Sequence, residues 1–228
     1  MIKIENTEVY GWEAAIRGMR NPMNSWDKSD TTIVTTTCYF GKVRTTDTEV
    51  SVGQNDLELM KKLVKAGTDH RKFLRMVNVT VDITAPLYWW KEFDTYKVGT
   101  VRDSCSTMHK ITEKKFYLDD FSFDHLDRFE EQVSYNETHI YDCCAWLNTT
   151  VNQLNLLRER YLETKDKRWW WQIIQLLPSS YNQRATVQLN YEVLLNMYHS
   201  RKNHKLDEWR KFCEWIEGLP YMEEFLKV

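Results

Sequence analysis

From Phe73 to Thr84 the chain alternates. Phe73, Arg75, Val77, Val79, Val81 and Ile83 fall on one face, and Leu74, Met76, Asn78, Thr80 and Asp82 on the other. A period of two sustained this long predicts a β-strand over 73–84. Ala85-Pro86 ends it, because proline removes the ladder donor. Arg75 is the odd member of the apolar face, at the strand's edge or aimed into a site. A second strand is predicted over residues 31–41, where β-branched residues run up to Gly41.

Elsewhere the period is helical. Residues 55–66 carry Leu57, Met60, Leu63 and Val64 behind an Asn55 or Asp56 cap and stop at Gly67. Residues 87–93 form a compact amphipathic segment. Apolar side chains recur every three to four residues over 122–134 and 136–163, and residues 168–177 predict a short buried helix stopped by Pro178. Helices follow over 185–200 and 206–217, the last with a stripe of Leu206, Trp209, Phe212, Cys213 and Ile216. Strands early and helices late predict an α+β fold, an antiparallel-rich sheet packed against several long helices, as one domain over residues 1–228. Only 7 Gly and 4 Pro argue against a loop-rich all-β chain.

Composition excludes several functions. Lys and Arg number 31 against 33 Asp and Glu, a net charge of -2 without a basic block, so binding to long nucleic acid is not expected. No apolar run is long enough to cross a bilayer, and residues 1–6 have no signal-peptide core. Five cysteines, with Cys143 and Cys144 adjacent and no CxxC spacing, argue against a disulfide framework or a zinc site. The reading is a reduced, cytoplasmic protein, with the sequons at Asn78, Asn136 and Asn148 as chance matches. Ten Trp serve a core, an oligomer interface or a stacked planar ligand.

Two segments concentrate chemistry. Asn190, Asn196 and Arg201 lie on a segment otherwise patterned to pack. They either face a planar or anionic ligand or serve as caps, core amides and a helix-end cation. The segment 94–110 carries hydroxyls, cations, Cys105 and His109. Gly99 permits a tight turn there, and Lys97, Arg102 and Lys110 are suited to charge-assisted bonds with an anion. Cys105, between Ser104 and Ser106, is either a nucleophile or a packed thiol.

The order strand, Ala85-Pro86, aromatic helix, hydroxyl-rich loop, Leu177-Pro178, then Asn190, Asn196 and Arg201 resembles the flavin-dependent thymidylate synthases over residues 55–228. Residues 1–54, read as N-terminal strands, have no clear counterpart. In that family a strand ending in Ala-Pro is followed by Arg-Gln and the signature RHRxxSxxxxSxRY. Here Lys91-Glu92 stands for Arg-Gln, and the signature falls on Thr95, Tyr96, Lys97, Thr100, Cys105, Thr107 and Met108. The resemblance implies FAD, with methylenetetrahydrofolate and NADPH as co-substrates, and one-carbon transfer to dUMP or a related pyrimidine nucleotide in a homotetramer. It places His70, Lys72, Arg75, Asn190 and Asn196 on the cofactor side. Lys91, Glu92, Lys97, Thr100 and Arg102 fall on the substrate side, and Arg201, Cys105 and Ser106 at the reacting pyrimidine. Trp169–Trp171 are expected at subunit contacts. The departures are chemical: family arginines become Thr95, Thr107 and Ile174, each exchange costing about 2 kcal/mol or more of anion binding. Lys72 and Arg75 replace Thr and Glu, so cations are relocated rather than deleted. A second reading follows, a relative that binds or sequesters a nucleotide, or regulates a partner, without turnover. A third is an unrelated α+β protein.

Overall fold

The computed structural model describes residues 2–40, 43–127, 133–135, 138–140 and 142–228. In chain order the elements are β1 (Lys3–Tyr10), α1 (Trp12–Arg20), β2 (Thr32–Phe40), β3 (Val43–Ser51), α2 (Gln54–Lys65), β4 (Asn78–Pro86), α3 (Leu87–Phe93), β5 (Thr100–Ser104), α4 (Thr107–Lys110), β6 (Val133–Tyr135), β7 (Thr138–Ile140), α5 (Cys143–Thr164), α6 (Lys167–Leu176), β8 (Asn182–Asn190), α7 (Tyr191–Arg201), α8 (Asp207–Glu217) and α9 (Met222–Leu226). Four strands form one sheet in the order β1-β4-β8-β5, while β2 with β3 and β6 with β7 form antiparallel pairs. The fold is α+β.

The chain gathers into two compact units. The first comprises Met1–Glu5, Asp82–Thr95 and Arg102–Thr186, and the second Asn6–Val81, Tyr96–Val101 and Val187–Val228. In the first unit, α5 and α6 pack together. Their core holds Ile111, Phe116, Phe121, Leu147, Val151, Leu154, Leu157 and Ile173. Each such side chain contributes roughly 1.5–3 kcal/mol on burial. Buried Asn155 accepts from the Phe116 amide and donates to the Phe116 carbonyl, both at 2.9 Å, so neither end of its amide is left unpaired. On α3, the buried Trp89, Trp90 and Phe93 rings pack against one another at 4.9–5.2 Å between centroids.

In the second unit, α7 packs against α8 and against the 3-10 turn Arg71–Arg75. Trp12 meets Tyr191 and Tyr221 edge to face. The buried stripe of α8 is Trp209, Phe212, Cys213 and Ile216, as its spacing predicts, with Leu206 half-buried just before the helix. Asp56 is no cap. It is fully buried and ion-paired to Arg20 at 2.6 Å, and its second oxygen accepts from Ser29, Asp30 and Thr31. The amides of Asn55 and Asp56 at the start of α2 are capped instead by Asp30.

Other expectations shift. The strand over 73–84 begins only at Asn78, because Arg71–Arg75 form the 3-10 turn; Arg75 is exposed there rather than on a strand. Val79, Val81 and Ile83 are fully buried, as the alternation requires. Residues 122–127 are not helical, Val133–Tyr135 and Thr138–Ile140 are strands, and the long helix starts at Cys143, capped by the Asp142 carboxylate. The helix expected over 185–200 is split. Ala185, Val187 and Leu189 point inward at period two on β8, and the helix begins at Tyr191. Helix α6 ends before Pro178 as expected but buries only Ile173, with Trp171 about half exposed. Gly41 and Asn136 lie outside the described residues.

Candidate functional site

Each unit carries its own cluster of predicted site residues. In the second, the 3-10 turn after His70 presents Arg71, Lys72 and Arg75 beside α7. Arg71 is the anchor. Its Nε donates to Glu192 at 3.1 Å and its terminal nitrogen to the Asn196 side-chain oxygen at 3.0 Å. Burial, with Lys202 and Arg71 nearby, lowers the pKa of His199 on the same helix. His70, Lys72 and Arg75 are exposed, and neither Lys72 nor Arg75 makes an ion pair among the described residues. Glu192 offsets Arg71, and Asp69 is the other nearby carboxylate in sequence, so the turn keeps a positive excess.

Asn190 serves as the N-cap of α7: its side-chain oxygen accepts from the Val193 amide at 3.0 Å. The capping alternative therefore holds for half of its amide. The Nδ2 half faces Gly99, where an added Cβ would lie 2.8 Å from Nδ2 and 3.0 Å from Val193 Cγ2. With φ at +74°, glycine alone lets the 96–101 turn lie against the start of α7. At the other end of the helix, Arg201 Nε donates to the Tyr96 hydroxyl at 2.8 Å. Its guanidinium lies 4.7 Å from the Trp209 ring centroid and 5.5 Å from that of Tyr96. Asn190 and Arg201 thus both reach the 96–101 turn. Lys97 on that turn is exposed, and the Thr100 hydroxyl is buried without a partner among the described residues.

In the first unit a cleft of about 710 Å³ is lined by Cys105, Ser106, Thr107 and Lys110 on one wall and Tyr181–Arg184 on another. Ser106 caps α4 and shares a 2.7 Å hydrogen bond with His109 Nδ1. The cations lining the cleft are paired: Lys110 with Glu113, Lys114 with Asp120 and Arg184 with Asp82. Glu113 raises the Lys110 pKa, and burial, reinforced by Asp120 and Cys105, raises that of Tyr181. Lys91 and Glu92 on α3 do not line this cleft. Arg102 does not either. It is held over the Trp90 ring at 4.0 Å, against Asp94 at 2.7 Å and to the Gln183 side-chain oxygen at 2.5 Å. Both terminal nitrogens of Arg102 are thus engaged within the chain, while its Nε is buried without a partner among the described residues.

Sequence reading missed Arg71, Gln183 and Arg184. Arg71 is one cation among several, and only its contact with α7 singles it out. Gln183 and Arg184 open a strand whose residues from 185 on were assigned to a helix, although the alternation Ala185, Val187, Leu189 was visible. Among the described residues, Cys105, Cys143, Cys144 and Cys213 form no disulfide, and no group of His, Cys, Asp or Glu suits a metal ion. No helix of the described residues is long and apolar enough to cross a membrane.

No protein-family model matches the chain, and no curated protein does. Solved structures do. Thymidylate synthase X from Helicobacter pylori, crystallised with FAD and dUMP, superposes with a TM-score of 0.66 at 17% identity, covering 99% of this chain and 97% of that one. The UMP/dUMP methylase PolB from Streptomyces cacaoi, bound with 5-Br dUMP, superposes at 0.63 and 12% identity, covering 100% and 94%. From end to end, the chain has the fold of the flavin-dependent thymidylate synthases.

Proposed function

We propose that the protein binds FAD and a pyrimidine nucleotide and transfers a one-carbon unit from methylenetetrahydrofolate to dUMP or a related nucleotide. The observation that carries this reading is the arrangement of the 3-10 turn and α7. Arg71 ties the turn to Glu192 and Asn196 and leaves Lys72 and Arg75 unpaired among the described residues, while Asn190 stands at the start of the same helix. That donor set fits an anionic, planar cofactor: cations for a pyrophosphate, amides for the polar edge of a flavin ring. His70, Lys72, Arg75, Asn190 and Asn196 would hold FAD, which supplies the redox chemistry when bound. Asn196 is pre-set, because Arg71 occupies its oxygen and turns its NH2 outward. Cys105 and Ser106 line the cleft in which we place the nucleotide, and Ser106 is oriented by His109. NADPH would be the reductant. We propose a homotetramer, with the half-exposed Trp171 at a subunit contact.

A specific observation favours a second reading, nucleotide binding without turnover. Thr95 and Thr107 stand at arginine positions of the family signature, and Arg201 and Arg102 are engaged within the chain. One experiment separates the two. Purified protein is titrated with FAD by flavin fluorescence and with dUMP by calorimetry, then assayed for dTMP with all co-substrates present. Saturable FAD uptake with dTMP formation supports transfer. Nucleotide binding without product moves the reading to the binder, and uptake of neither ligand rejects both. Sedimentation as a monomer at micromolar concentration would refute the tetramer.

A further inference from the structure

Five residues of the first unit, Asp94, Arg102, Gln183, Cys105 and Thr107, form an unbroken chain of polar contacts ending at the rim of the cleft. Asp94, just beyond α3, grips one terminal nitrogen of Arg102 with both carboxylate oxygens, at 2.8 and 2.7 Å. The other terminal nitrogen donates to Gln183 Oε1 at 2.5 Å. Gln183 Nε2 then donates to the Cys105 carbonyl at 2.7 Å and to the Thr107 hydroxyl at 3.1 Å. Two backbone contacts frame the relay: Trp90 Nε1 donates to the Gln183 carbonyl, and the Cys105 amide to the Arg184 carbonyl, both at 2.9 Å.

The orientation of the Gln183 amide is the informative point. An amide's oxygen and nitrogen are interchangeable in shape, so only its partners fix which way it faces. Arg102 has no acceptor, so Oε1 must face it. Nε2 is thereby forced toward Cys105 and Thr107, where a carbonyl and a hydroxyl wait. Were Arg102 absent, the amide would be free to turn and the Cys105–Thr107 turn would lose its side-chain hold. Arg102 does not line the cleft, whereas Gln183, Cys105, Ser106 and Thr107 do.

We propose that Arg102 is a positioning residue that acts through Gln183 to fix the Cys105–Thr107 turn. Thr107, standing where the resemblance would place an arginine, is the second acceptor for Gln183 beside the Cys105 carbonyl. The turn is therefore set by the protein's own side chains before any ligand arrives. Its consequence for nucleotide affinity rests on the function proposed above; the relay itself does not.

The test uses the full chain in three variants. Arg102→Lys keeps the charge but loses the fork that reaches Gln183. Gln183→Glu keeps an acceptor for Arg102 but loses the Nε2 donor. Thr107→Val removes one acceptor and little volume. Amide hydrogen exchange over residues 104–110 is expected to quicken by about tenfold in the first two and less in the third, with exchange across α2 unchanged. The double variant Arg102→Lys with Gln183→Glu should be no faster than either alone, because one relay is broken once. Unchanged exchange at 104–110 in Gln183→Glu, or equal acceleration in α2, overturns the proposal. Calorimetry with dUMP runs in parallel. Weaker dUMP binding in the first two variants extends the relay to the nucleotide site. If wild-type protein takes up no dUMP while the exchange pattern holds, the nucleotide reading fails and the relay stands.

Discussion

Replacing Arg201 should cost stability as well as any ligand contact, and the size of that cost follows from its surroundings. The charged donor at 2.8 Å from the Tyr96 hydroxyl is worth roughly 1.5 kcal/mol or more. The guanidinium near the Trp209 and Tyr96 rings adds about 0.5–1 kcal/mol. As the last residue of α7, Arg201 also favours the helix dipole by a few tenths of a kcal/mol. Arg201→Ala should therefore destabilise by about 2–3 kcal/mol, a fall in melting temperature of about 5–10 °C for a chain of this size. Arg201→Lys retains the charge at the helix end but not the fork or the stacking, and should lose about two-thirds of that. Tyr96→Phe removes the hydroxyl alone. A double-mutant cycle between Tyr96→Phe and Arg201→Ala, read by urea denaturation with circular dichroism, should give a coupling of about 1–1.5 kcal/mol. FAD and dUMP titrations of the same variants complete the test. A coupling below about 0.3 kcal/mol, with ligand binding abolished and stability intact, would refute the reasoning and make Arg201 a ligand group first.

Two further outcomes are expected. Burial pushes the Asp56 carboxyl up, but the bonds from Thr31, Ser29 and Arg20 outweigh it and hold its pKa below 3.8. A depressed folded value means that the group stabilises fully above 3.8, and that this contribution is lost as pH falls through the lower folded value. Asp56→Asn should therefore flatten the acid limb of the stability curve, and an unchanged limb in acid titration would exclude this role. Gly99→Ala and Gly67→Ala both force alanine to positive φ, at +74° and +96°, costing about 1–2 kcal/mol each. Only at Gly99 does the new methyl also meet Asn190, so that variant should cost about 1 kcal/mol more through the disturbed cap. Equal urea midpoints for the two would contradict the contact.

Period and punctuation located much of the architecture. Val79, Val81 and Ile83 on one face of a strand ending in Ala85-Pro86, the helix stopped by Gly67, and the α8 stripe of Trp209, Phe212, Cys213 and Ile216 are all local signals, and all stand in the structure. The failures share a cause. Ala185, Val187 and Leu189 fit a strand as well as part of a helix, and only pairing within the four-stranded sheet chose between them. At the site, the residue types were legible but their commitments were not. Asn190 caps α7 through Val193 only because β8 ends there, and which of Arg71, Lys72 and Arg75 is tied down depends on neighbours distant in sequence.

Taken alone, then, the sequence determined the α+β class, most of the longer helices, the strands β2 and β4 and a set of amides, cations and hydroxyls in a particular order. These follow from short-range periodicity and backbone chemistry, which a linear chain records. Tertiary structure alone decided that Arg201 stacks on Trp209, that Arg102 is spent on Gln183 and that Arg71 anchors α7. An ionic or hydrogen-bonding side chain declares its type in the sequence, but its partner is chosen by packing, which here joins Arg102 to Gln183 and Arg71 to Glu192 across separations of 81 and 121 positions.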